Sequence, residues 1–199
     1  MPQEDLDASL AIDVIIKEMT KFSFANIAIE VQEERVVIRS DEPSFAYRVH
    51  DLALGIVNLL PDSKVRSLGL NVTSEIECES TDAWHYVGDF LTPKDIWVEM
   101  YPETERAGLK NLQIQLKKPS DNTTVYNFSV AWAPVQNCVQ FGLNHHFGRA
   151  NANAVESPEE FLAADVIIAA HWLDTINFYE SSVEIFLDRM SRGYSDGRR

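Results

Sequence analysis

Apolar positions along this chain keep two rhythms, one of two residues and one of three to four, and each rhythm marks a different element. Over residues 8–20, Leu10, Val14, Ile15 and Met19 fall near the helical period, which predicts a short helix. The rhythm then changes. Phe22, Phe24, Ile27, Ile29 and Val31 approach alternation, and Glu33-Glu34 separates them from Val36, Val37 and Ile38, the pattern of two strands joined as a hairpin. Between Phe45 and Leu60, Val49, Leu52, Ala53, Ile56, Val57 and Leu60 return to helical spacing, and Pro61 stops that helix.

A long alternation runs from Val65 to Cys78. Leu68, Leu70, Val72, Ile76 and Cys78 share one face, with Ser74 as its polar interruption, while Gly69, Asn71, Thr73, Glu75, Glu77 and Glu79 share the other. This is a strand buried on one side and wet on the other. Ser80-Thr81-Asp82 can cap a short helix reaching Phe90, with Trp84, Val87 and Leu91 on its apolar stripe, and Pro93 closes it. After a short strand expected at Ile96–Met100, three alternating runs follow, at Leu109–Leu116, Val125–Trp132 and Val139–Leu143. The loop Lys118–Asn122 and the turn Ala133–Asn137 join them, which predicts an antiparallel meander.

Gly148 to Glu156 is the candidate mobile loop. Ser157-Pro158-Glu159-Glu160 forms a helix start, with a capping serine, a proline at the first position and a capping-box acid. Phe161, Ala164, Ile168, Trp172, Ile176, Tyr179, Val183, Phe186 and Met190 then recur every three or four residues. The expectation is an α+β fold, one antiparallel sheet packed against helices, with the C-terminal helix as its main buttress. With no repeat and no linker, residues 1–199 read as a single domain with frayed residues 193–199.

Composition narrows the function classes. The chain carries a net charge of −14, with 19 acids against 8 bases in residues 1–100 and 12 against 9 in residues 101–199. Such a balance repels phosphates and argues against direct binding to nucleic acid or anionic lipid. The acidic N-terminus lacks the basic start and apolar run of a secretory signal, and no stretch approaches the roughly 20 apolar residues of a membrane span. A cytoplasmic protein is expected. Cys78 and Cys138 show no CxxC spacing and are expected as two buried free thiols.

Candidate chemistry is sparse. His145-His146 draws attention first, yet neighbours on a strand point to opposite faces and cannot easily share one metal. His50, His85 and His171 stand outside any HxxxH or HExxH spacing. Glu75, Glu77 and Glu79 line one strand face and can attract a divalent cation or a basic partner, although a solvated face is the plainer reading. There is no GxSxG, no GxxxxGK[ST] and no GxGxxG, so no catalytic residue, cofactor or metal is assigned.

Leu68-Gly69-Leu70-Asn71 through Glu75-Ile76, followed by a helix ending Gly88-Asp89-Phe90-Leu91, resembles the central segment of a sporadically distributed, uncharacterised bacterial protein family. The likeness spans residues 65–91 and, more loosely, 139–190. Asn71 stands where that family prefers an arginine-tyrosine pair nearby. The resemblance implies an α+β fold and no particular activity. Three functions remain, the first preferred and the other two ranked equally. The first is a non-enzymatic interaction or assembly subunit of a bacterial multi-protein complex, a homodimer or a partner-bound protein. The second is an acidic, DNA-mimicking inhibitor of a nucleic-acid-binding protein. The third is a metal-dependent hydrolase using His145 and His146.

Overall fold

A computed structural model of the chain describes residues 11–101, 103, 107–117, 124–135, 137–148 and 161–195. The fold is α+β, with two four-stranded antiparallel sheets and four α-helices among these residues. The chain divides into two compact units. One comprises residues up to Lys64 together with Ala163–Ala169, and the other comprises Val65–Leu162 and the chain from Ala170 onward.

The first unit is a meander, β1 (Ala11–Ile15), β2 (Met19–Phe24), β3 (Ile27–Gln32) and β4 (Arg35–Arg39), in that spatial order. A single 3-10 turn at Pro43–Phe45 then leads into helix α1 (Ala46–Leu59). The helix expected over residues 8–20 is replaced by β1 and the start of β2, and residues 8–10 lie outside the described residues. Ile12, Val14, Ile15 and Ile16 are β-branched, which favours a pleated strand over a helix. Pairing of Ala11 with Ser23 and Ile15 with Thr20 supplies the hydrogen bonds, with an irregularity between Ile12 and Val14. The expected two-strand hairpin is three strands. Ala25 and Asn26 both take positive φ, 43° and 62°, and form a two-residue turn between β2 and β3 that no glycine announces.

The second unit contains β5 (Leu68–Glu77), α2 (Thr81–Leu91), α3 (Asp95–Met100), β6 (Asn111–Lys117), β7 (Thr124–Trp132), β8 (Cys138–Phe147) and most of α4 (Ala164–Ser195). Its strands run in the order β5-β8-β7-β6, so the meander β6-β7-β8 is extended by β5 on its far side. Segment Ile96–Met100 is a helix, not the expected strand. A short apolar run leaves the two states unresolved by periodicity, and the Lys94 carbonyl accepts bonds from the N–H groups of Trp97 and Val98. Ser80 caps α2 through its side chain, which accepts from Ala83 N at 3.1 Å. Trp84 Nε1 donates to the Cys138 carbonyl at 3.1 Å and ties α2 to β8.

The core of this unit lies between β8 and α4. Phe141, Leu143, Val139, Val130, Val87, Tyr179 and Val183 are buried together, with Val72, Ile76, Phe128, Phe178, Phe186, Leu187 and Met190 packed around them. Helix α4 is helical through Ser195, past the expected fraying at 193, while residues 196–199 lie outside the described set. The proposed helix start at Ser157–Glu160, the loop residues 149–156 and the loop Lys118–Asn122 lie outside it too. Phe161 precedes the helix. Gly148 ends β8 at φ +110°, where a Cβ would come within 2.7 Å of the Arg66 carbonyl oxygen, so only glycine fits.

Phe141→Ala is expected to destabilise the second unit by about 3–5 kcal/mol, since it removes a ring that no rearrangement of the packed layer can replace. Urea unfolding followed by tryptophan fluorescence measures this, and an unchanged midpoint would place the core elsewhere.

Candidate functional site

The two histidines of β8 are held on opposite sides of the sheet, as strand parity requires. His145 is 1% exposed and faces the helix layer. Its ring stacks on Tyr126 at 4.1 Å, lies 4.2 Å from the ring of Phe147 and meets His171 edge-on at 5.7 Å. Its Nδ1 is 2.6 Å from Thr175 Oγ1, and that hydroxyl donates to the His171 carbonyl at 2.7 Å. The single hydroxyl proton is thereby committed, so the Thr175 oxygen accepts from His145 Nδ1–H, which fixes the tautomer. This arrangement locks an imidazole into packed aromatic surroundings; it does not open it to a substrate. His146, half-buried, stands on the other face, registered between Gly69 and Val125.

A second polar pair sits in the same layer. Tyr179 Oη donates to the Phe141 carbonyl at 3.2 Å, which leaves it as the acceptor from the Ser74 hydroxyl at 2.5 Å. Ser74, the polar interruption on the inner face of β5, is therefore the partner that lets a buried phenol be paired. Burial pushes the Tyr179 phenol above its usual value, and the bond from Ser74 offsets part of the rise.

The outer face of the sheet is polar and crossed by a row of amides. Gln115 Nε2 donates to Asn127 Oδ1 at 3.1 Å, Asn127 Nδ2 to Asn144 Oδ1 at 3.2 Å, and Asn144 Nδ2 to Asn71 Oδ1 at 2.7 Å. The row spans β6, β7, β8 and β5 in turn, and Asn71 closes it by donating to the Gly69 carbonyl at 3.3 Å. Glu75 and Glu77 stand exposed farther along β5, opposite Gln140 and Cys138, and Glu79 lies exposed beyond the strand end. The carboxylates therefore share the outer face with His146 but not with His145. Among the described residues no group of three or more His, Cys, Asp or Glu could hold a metal ion.

Both cysteines are free. Burial raises the Cys138 thiol, with the Glu77 and Glu75 carboxylates adding to the rise, and burial also raises Cys78, followed by the effect of Cys138. Thiols held this way are poor nucleophiles near neutral pH. The sequence offered little warning of the amide row or of Thr175. Asn71, Asn127, Asn144 and Gln115 each alternate onto a wet face, but only the strand register aligns them. Thr175 lies one residue from Ile176 in the apolar stripe and buries because its hydroxyl bonds the preceding turn.

Thr175→Val, nearly isosteric, is expected to cost about 1–3 kcal/mol by leaving His145 Nδ1 without its acceptor; denaturant titration checks this. Tyr179→Phe is expected to cost a similar amount, about 1–3 kcal/mol. The stability tied to the raised phenol is complete below the unfolded-chain value of about 10 and is lost as pH climbs from there through the folded value. Tyr179→Phe should therefore flatten the alkaline fall in the unfolding midpoint, and an unchanged slope would contradict the burial of that hydroxyl.

No helix among the described residues is long and apolar enough to cross a membrane. Compared with known proteins, the chain matches no family model, no curated protein and no solved structure.

Proposed function

We propose that the chain is a non-enzymatic interaction or assembly subunit of a bacterial multi-protein complex. It works in the cytoplasm and binds a protein surface rather than nucleic acid or a membrane. One observation carries this reading. Ile96, Trp97, Val98, Met100 and Tyr101, interrupted by Glu99, lie on and just after α3, and all are exposed, at 61%, 51%, 45%, 72% and 63%. Five neighbouring large apolar side chains in water are costly to leave uncovered, and a tryptophan among them is the side chain most used as an interface anchor.

The separation of the chemistry-bearing groups supports the same reading. A hydrolase would need His145 and His146 to converge with carboxylates, whereas His145 is enclosed by Tyr126, Phe147 and His171. The exposed pair Glu75 and Glu77 favours one second reading, an acidic inhibitor that presents carboxylates to a basic protein surface.

Affinity capture from the cells that make the protein separates these. A specific partner should be recovered with the wild-type chain and depleted at least about tenfold by Ile96→Ser with Trp97→Ser, exposed substitutions that leave the fold intact. An apolar joint persists in high salt, while a carboxylate-led one is lost there. A monomeric chain that recovers no partner overturns the interaction reading.

A further inference from the structure

Among the described residues four strands form the sheet edges, and three carry charges that oppose self-pairing. Strand β1 has Asp13 at its centre, β4 begins and ends with Arg35 and Arg39, and β5 carries Glu75 and Glu77. Charges on an edge are the usual protection against another strand docking there. Strand β6 lacks that protection. It pairs with β7 alone among the described strands, and its seven residues hold no acid, no proline and one charge, Lys117 at the end. In a chain of net charge −14 this is an unusual length of acid-free edge.

Its sequence is also its own mirror image. Leu112-Gln113-Ile114-Gln115-Leu116 reads the same in both directions about Ile114. An antiparallel pair related by a two-fold axis places each residue opposite its mirror position, so a palindromic strand meets identical chemistry across the joint. We propose that β6 pairs with β6 of a second copy of this chain, about a two-fold axis at Ile114, and joins two four-stranded sheets into one of eight strands.

The side chains fit that register on both faces. Ile114 and Leu116, on the same face as Phe128, are 47% and 44% exposed. In the pair Ile114 meets Ile114 and Leu112 meets Leu116, which forms an apolar row where cross-strand contacts are closest. On the outer side Gln113 meets Gln115, whose amides donate and accept reciprocally. The amide row from Asn71 through Gln115 ends at this edge, and the second copy continues it. Asn111 faces Lys117, so no like charges oppose each other anywhere along the joint.

The proposal rests on the interaction reading above and names a second copy as one of its partners. Light scattering coupled to size exclusion, on the full chain between about 1 and 100 μM, gives the mass. The wild type should be a dimer. Gln113→Glu with Gln115→Glu places carboxylates opposite carboxylates, and Gln113→Lys with Gln115→Lys does the same with ammonium groups. Each should raise the dimer dissociation constant at least about tenfold, while mixing the two variants should restore a dimer, shown by native mass spectrometry to be mixed. Both altered positions are exposed, and circular dichroism checks that the variants fold. A wild-type monomer overturns the proposal, and so does a dimer indifferent to both charge pairs. A monomer that captures another protein through β6, lost in either variant, assigns the edge to that protein and also overturns it. Loss of partner capture on changing Ile96 and Trp97 is independent of all these outcomes, so the interaction reading can stand or fall by itself.

Discussion

Covering the inner face of β8 is the constraint around which the second unit is organised. The strand presents Val139, Phe141, Leu143, His145 and Phe147 on one side, every one buried. No neighbouring strand can cover them, because strands lie beside one another and not above. Helix α4 supplies the cover through Thr175, Tyr179 and Val183, spaced four apart, with Phe178, Phe186, Leu187 and Met190 flanking them. Trp84 and Val87 of α2 complete the layer. Because β8 has β5 on one side and β7 on the other, its placement determines the register of the sheet.

Two polar groups enter this layer, and each is admitted by a partner from the facing element. His145 on β8 is held by Thr175 on α4, and Tyr179 on α4 is held by Ser74 on β5 and by the Phe141 carbonyl. Unpaired, such groups would cost more than the surrounding contacts return. Paired, they favour one alignment of helix on sheet, since sliding α4 by a turn would separate both couples at once. These groups accordingly serve as alignment devices, and the histidine that looks most like chemistry in the sequence is occupied with structure.

The outer face of the second sheet is satisfied within itself by the amide row, so its polarity does not by itself mark a ligand site. The apolar side chains left in water are of a different kind, because nothing in the described fold compensates them. Among them are Ile96, Trp97, Val98 and Met100 on α3 and Ile114 and Leu116 on β6.

Periodicity alone located β5, α1, α2, the β6-β7-β8 meander and α4, since in each the apolar positions repeat with the element's own period. It also placed Ser74 among the inner residues of β5 and set His145 and His146 on opposite faces. It failed where the period is too short to read. The helix Asp95–Met100 has six residues, β1 has five, and the turn at Ala25-Asn26 carries no glycine. The chain by itself determined which residues seek a core and which way each side chain leaves its strand, because those properties are local. Tertiary structure decided that Asn71, Asn144, Asn127 and Gln115 form one row, that Thr175 holds His145, and that the mirror-image strand lies at an edge. Those facts depend on register and strand order, which are set by contacts between residues far apart in sequence.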